Sequence, residues 1–326
     1  ALERLRPEWD RLLGESDADI FFLRNEWQQL WWRHFGHDFS PRVVTARDGS
    51  GHLVGVAPLM APRHDSESTL SFIGGTEIAD YLDLIVERSQ AREVRGVLLR
   101  AVCEHLPWRT LDLHCLPEGS GTVAAVQELA SPAVHVTQEV EDVSPTVALG
   151  GSWDAYLASL RKKDRHELRR KLRRAIDDLG AHWQTLQAPA ELPAALDAFV
   201  DLHRRSSTVK AAFMTEAMAA YFRELAAMTL ASGQLRMGIL WAGDQALSTA
   251  MGFAYGDRLY LYNSGFDPAY AAHSVGIAAV GLLLRAAADE GLALFDFLQG
   301  NEAYKYTLGA QDHPVYRLIA GRGETA

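Results

Sequence analysis

The sequence predicts an α+β fold built as two tandem units, each a mixed, mostly antiparallel sheet flanked by helices. Three observations predict it. Each half holds an apolar helix with one core pattern, Leu98-Leu99-Arg100-Ala101 and Leu283-Leu284-Arg285-Ala286, set 185 positions apart. Downstream, each helix gives way to a short apolar run centred on an acid, Leu111-Asp112-Leu113 and Phe295-Asp296-Phe297, with the acids 184 positions apart. A helical period followed by a strand-like run at one register marks a duplicated α/β unit. The length of 326 residues suits about two domains. The paired glycines Gly150-Gly151 place the boundary between 1–150 and 151–326.

In chain order, Trp27, Trp31 and Phe35 recur every four residues and predict a helix under the first sheet. Strands are expected over 41–46, 53–60 and 70–73, with a turn at Asp48-Gly49-Ser50-Gly51. A loop over 74–83 leads to a strand at 84–86, a helix over 91–105 and a strand near 111–115; 134–147 reads as polar and β-rich. The second half opens with a helix capped by Ser152. Its stripe Leu157, Leu160, Leu168, Leu172, Ile176 and Leu179 runs on until Gly180 stops it. Helices over 192–205 and 216–231, strands over 235–241, 246–255 and 258–264, a helix over 275–289, a strand over 293–298 and a short helix near Asn301 complete the order. Helices, then an antiparallel meander, then a helix feeding one more strand give an α+β class in each copy.

With 48% hydrophobic and 23% charged residues, each half can bury an ordinary core. No apolar run is long enough to span a membrane, and the first residues do not read as a signal peptide. Cys103 and Cys115 form neither a disulfide framework nor a zinc pattern, which points to a reducing cytoplasm and to no metal. A net charge of −10 argues against a general nucleic-acid binder. The charge is uneven: residues 161–174 hold nine Lys/Arg against Asp164 and Glu167, a local +7 that leaves −17 elsewhere. Such a run is either a solvated helix face or a seat for an anionic acceptor or carrier, among them a sugar nucleotide, a lipid head group, an acyl-carrier protein or a tRNA acceptor stem.

Before the 275–289 helix, the chain reads His273-Ser274-Val275-Gly276. A helix start offers free amides and partial positive charge, so this turn is either a pyrophosphate seat or a plain N-cap. The matching loop of the first copy, Glu77-Ile78-Ala79-Asp80-Tyr81-Leu82-Asp83, carries acids that would repel a pyrophosphate. If one copy binds a phosphate-bearing donor, it is the second. Asp296 lies mid-strand between two phenylalanines, where burial would raise a carboxylate's pKa toward that of a working base; an exposed acid on a half-buried strand is the alternative.

The basic helix, Tyr262-Asn263-Ser264-Gly265-Phe266-Asp267-Pro268-Ala269-Tyr270, the His273–Gly276 turn and the run from Phe295 to Tyr306 resemble tandem GNAT acyltransferases of the FemAB-like group and its bacterial CelD/BcsL relatives. Phe72-Ile73-Gly74-Gly75 and the Asp80–Leu84 segment extend the resemblance to the first half. The turn keeps one glycine of the usual GNAT pattern and no arginine. The resemblance implies an N-acyltransferase that moves an acyl group, acetyl in the first instance, from acyl-CoA to an amine of a small-molecule, sugar or peptide acceptor in a ternary complex. It implies that the pantetheine pairs with Tyr260, Leu261, Tyr262 and Asn263, and that the pyrophosphate rests at His273, Ser274, Val275, Gly276 and Ile277. Tyr304 is then the proton donor to the leaving sulfur, Asp296 or Glu302 the base, and Lys305 a stabiliser of developing charge or an anchor for an anionic substrate. Asp80, Tyr81 and Asp83 are expected to hold the acceptor amine, with His203, Arg204 and Lys210 in the acceptor-side region. Two other classes stay open: FemABX-like transfer from aminoacyl-tRNA, favoured by the basic helix, and a non-catalytic binding protein on a GNAT scaffold.

Overall fold

The computed structural model describes residues 2–65, 69–186 and 188–323. The chain divides into one unit of Ala1–Val143 with His313–Ala326 and a second of Ser144–Asp312. The first unit runs α1 (Leu2–Glu15), α2 (Asn25–Phe35), β1 (Phe39–Arg47), β2 (Leu53–Pro62), β3 (Thr69–Phe72), β4 (Ile85–Val86), α3 (Ala91–His105), β5 (Thr110–Pro117), α4 (Gly121–Gln127) and β6 (Val134–Val143). The second runs β7 (Thr146–Ala148), α5 (Trp153–Ser159), α6 (Lys162–Arg173), β8 (His182–Thr185), α7 (Leu192–Ser206), α8 (Thr208–Phe213), α9 (Glu216–Ala231), β9 (Leu235–Ala242), β10 (Gln245–Tyr255), β11 (Arg258–Phe266), α10 (Val275–Asp289), β12 (Leu294–Asp296) and α11 (Ala303–Thr307). The last strand, β13 (Pro314–Arg322), returns to the first unit.

The two sheets share one plan. In the first, the antiparallel β1-β2-β3 meander joins β5 in parallel, and α3 makes the crossover. In the second, β9-β10-β11 joins β12 in parallel through α10. The sheet orders are β1-β2-β3-β5-β13-β6, with β4 beside β2, and β7-β12-β11-β10-β9-β8. The expected duplication is therefore present as matching mixed sheets. Its equivalent leucines, Leu98 and Leu99 on α3 and Leu283 and Leu284 on α10, are all buried. Burying one such side chain contributes about 1.5–3 kcal/mol, which is why the apolar period sets each crossover helix against its sheet. On α10, Leu283, Leu284 and Ala287 pack with Leu259 and Leu261 of β11 and with Phe295 and Phe297.

The structure departs from the sequence reading in three places. The break between units falls before Ser144 rather than at Gly150-Gly151, because β7 pairs with β12 and β13 lies between β5 and β6. The single helix expected after Ser152 is two: Ser152 caps α5 through the Ala155 amide, but Leu160 and Arg161 are extended before α6. The turn drops Leu160 into the core against Gly309, where a Cβ would lie 2.6 Å from the leucine. The elements α1, α4, β8 and β13 had no clear periodic signal.

Candidate functional site

β11 and β12 pair over three residues only, Arg258 with Leu294, Leu259 with Phe295 and Tyr260 with Asp296. Then they part. Beyond Asp296 the Phe297 amide bonds to the Pro145 carbonyl (2.9 Å), and the chain turns at Leu298, a left-handed residue with φ +57°. On β11 a bulge leaves Tyr262 as the extra residue between Leu261, opposite Gly252, and Asn263, opposite Met251. Such a bulge bends its strand. Residues 261–263 keep an edge that β12 does not cover. From Ser264 onward that edge is closed by side chains: Lys210 Nζ donates to the Ser264 carbonyl (2.5 Å), and the Phe266 amide donates to Ser206 Oγ (2.8 Å).

The helix pair α7–α8 reaches this edge because residue 265 is glycine; a Cβ there would meet the backbone nitrogen of His203 at 2.5 Å. His203 is buried, and among the described residues its Nδ1 has no hydrogen-bond partner. Burial, then the neighbouring Lys210 charge, lowers its pKa to about 4 against a bond with Asn263, so the ring is neutral near pH 7. Burial likewise lowers the Lys210 ammonium, opposed by the Glu302 charge. Of the acceptor-side expectations, His203 thus lies beside Asn263 and Lys210 beside Ser264, with Lys210 within reach of the Glu302 charge. Arg204 is drawn elsewhere: it donates to the Met214 carbonyl (2.9 Å) and pairs with Glu216 (2.7 Å), tying α7 to the start of α9.

The segment after β12 is held by its own residues. Asp296 is fully buried and accepts from Arg258 (3.1 Å) and from the Leu298 amide (2.9 Å). Arg258 was not read from the sequence as a site residue; its pairing spans 38 positions and has no local signature. Lys305 is buried, and its ammonium donates to the carbonyls of Leu298 (3.1 Å), Gln299 (2.9 Å) and Gly300 (2.8 Å) while pairing with Glu302 (2.9 Å). It therefore fastens the turn instead of reaching toward a substrate. Gly300 needs its glycine twice: φ is +107°, and a Cβ would lie 2.8 Å from Glu302 Oε2. Glu302 itself is 59% exposed at the side chain. Tyr304 packs edge-on to Phe297 (6.3 Å between centroids). Among the described residues its hydroxyl has no hydrogen-bond partner. Burial, then the Glu302 charge, pushes its pKa up, so the phenol keeps its proton.

At the start of α10, Ser274 stands at the N-cap in a left-handed conformation (φ +57°), and among the described residues its side chain caps no amide. The first amides of a helix have no intrahelical acceptor, which leaves those of Val275, Gly276 and Ile277 without one inside α10. The preceding His273 has a buried Nδ1 without a partner among the described residues. Gly276 has a second reason to be glycine: a Cβ would approach the Phe266 ring to 3.0 Å. These features fit a phosphate held by backbone amides.

The first unit closes the matching opening with its own chain. β3 and β5 pair at Thr69–Thr110 and Leu70–Leu111, after which the Leu82 amide donates to the Cys115 carbonyl (2.8 Å) and Cys115 Sγ to the Ala79 carbonyl (3.3 Å). Tyr81 and Asp83, expected to face an acceptor, are consequently interior. Asp83 accepts from the Leu84 amide (2.7 Å) and from the Thr122 hydroxyl; burial raises its pKa, partly offset by the Ser120 and Thr122 hydroxyls and the Arg95 charge. Asp80 stays partly exposed. No signal local to the loop distinguishes a plug from a ligand-facing turn. Among the described residues no group of three or more His, Cys, Asp or Glu is placed to hold a metal, and no helix is long and apolar enough to cross a membrane.

Residues 162–306 match the family profile described as an acetyltransferase (GNAT) domain. No curated protein sequence matches the chain. Among solved structures, FemX is similar at a TM-score of 0.65 and 11% identity, covering 96% of this chain and 95% of its own. L-PGS from Bacillus licheniformis is similar at 0.56 and 11% identity, covering 98% and 91%. A conserved protein of unknown function from Bacteroides thetaiotaomicron is similar at 0.59 and 13%, covering 99% and 98%. The second unit carries a GNAT-type acyltransferase fold, and the chain as a whole shares its architecture with FemX-like structures.

Proposed function

We propose that the second unit transfers an acyl group, acetyl in the simplest case, from acyl-CoA to the nitrogen of an amine. The observation that carries this is the uncovered edge at 261–263 where β11 parts from β12, set in the unit that also bears the uncommitted Tyr304 hydroxyl. The pantetheine would pair with that edge, and the phosphates would take the amides of Val275, Gly276 and Ile277. The amine nitrogen attacks the thioester carbonyl, and an edge N–H stabilises the oxyanion. The C–S bond then breaks, the thiolate takes the Tyr304 proton, and the amide forms. Glu302, the exposed carboxylate whose charge reaches both Lys210 and Tyr304, is the group best placed to accept the proton lost by the amine. Asp296 is committed to Arg258 and holds the turn.

Acetyl-CoA should raise the melting temperature, since a ligand present at 100 times its Kd stabilises the native state by about 2.7 kcal/mol. Tyr304→Phe should keep that shift and lower kcat roughly 100-fold. Absence of any shift with acyl-CoA esters sinks the reading. Aminoacyl transfer from charged tRNA is the alternative, supported by the cations of α6; a shift with aminoacyl-tRNA and none with acyl-CoA would select it.

A further inference from the structure

The surface of α6 bears on who presents the donor, and the argument rests on the thioester reading above. Lys162, Lys163, Arg169 and Arg173 are exposed, and among the described residues none of the four has a hydrogen-bond or ion-pair partner. Exposed His166 and Arg170 lie between them on the same face, Arg170 paired with Glu167 (2.7 Å). Spacings of three and four put these residues in one row about 16 Å long. The other face is interior: Leu168 and Leu172 lie on Gly281 of α10, where a Cβ would be 3.2 Å from Leu168. Ala175 and Ile176, just past α6, pack with Val275 and Ala278 in the first turn of α10. The C-terminal end of α6 is therefore anchored beside the first turn of α10, whose amides are assigned to the donor phosphate.

Every pantetheine thioester brings the same arm and phosphate to that point, and the donors differ in what lies beyond. In acyl-CoA it is one nucleotide, which could engage only one end of such a row. In an acyl carrier it is a folded acidic protein, and an acidic helix laid along α6 would match the row in length and sign. The face holds no Phe, Tyr or Trp, the large rings on which unpaired bases stack best. The −17 carried by the rest of the chain opposes a polyanion longer than the row. We infer that the exposed face of α6 docks the acidic helical surface of a carrier protein that presents a phosphopantetheine thioester to the second unit.

The test is binding of a bacterial acyl-carrier protein in its apo form, which lacks the arm and so reports the surface alone. The wild-type chain should bind it with an affinity that falls as salt rises. The variant Lys162→Glu, Lys163→Glu, Arg169→Glu, Arg173→Glu should bind roughly tenfold more weakly or worse while keeping its melting temperature. Carrier binding without an acetyl-CoA shift would uphold the docking surface and refute the acyl-CoA donor site. An acetyl-CoA shift with no carrier binding, equal binding by the variant, or preference for bulk tRNA over the carrier would overturn the docking surface.

Discussion

Single side chains decide what each acid and base can do. Asp112 and Asp296 occupy the same place in the two copies, and each is taken by an arginine, Arg317 (2.8 Å) and Arg258 (3.1 Å). In the first unit His114 joins the pair, lying 3.1 Å from Asp112 and 2.5 Å from Glu141. Half-burial opposes its charge, but these carboxylates win and raise its pKa to about 9. The unfolded value is about 6.5, so the folded state binds the proton more tightly. The stabilisation is complete below pH 6.5 and is lost as pH rises through 9. Thermal melts between pH 6 and 9.5 should show the melting temperature falling, and His114→Gln should remove that part of the fall. Identical profiles for the two proteins would refute this role. The acid pair was legible in the sequence as a repeat; its arginines were not, because Asp112 and Arg317 are 205 positions apart.

At the scale of elements, the opening depends on how closely α7 approaches β11. Gly265 sets that approach, since its absent Cβ would stand 2.5 Å from the His203 nitrogen and 2.7 Å from the Leu202 carbonyl carbon. Backbone atoms cannot rotate away as a side chain can. Gly265→Ala should therefore destabilise the second unit by about 1–3 kcal/mol. It should also weaken acetyl-CoA binding, because Lys210 and Ser206 close the edge from α7–α8. A neutral melting temperature would show that α7 can retreat. The helices α3, α9 and α10 begin and end where the apolar period and their flanking polar residues place them. The break before α6 escaped, because Leu160 and Arg161 carry no turn chemistry and the bend exists to seat Leu160 on Gly309.

Across the whole molecule, the chain crosses twice between its units in sequence. β7 pairs with β12 in the second unit, and β13 fills the place between β5 and β6 in the first. Truncation after Asp312 removes β13, leaving β5 and β6 without their shared neighbour and Asp112 without Arg317. The first unit should then lose its cooperative melting, whereas Ser144–Asp312 should stay folded and protease-resistant. Equal protection of both units in the truncated chain would contradict this. The crossing was not foreseen because tandem repeats read as contiguous blocks, and a nine-residue strand far from its partners carries no mark of where it pairs.

The sequence by itself determined the class, the duplication and the crossover helices, because helical and strand periods are local and burial enforces them. From it came also the expectation that the second copy, with the α10 start and the run bearing Glu302 and Tyr304, holds the donor. Only the tertiary structure decided the rest: that Tyr81 and Asp83 plug the first unit, that Lys305 fastens a turn, and that Asp296 is spent on Arg258. Those outcomes depend on partners brought together by packing, where a buried charge must find a counter-charge or a carbonyl wherever the fold supplies one.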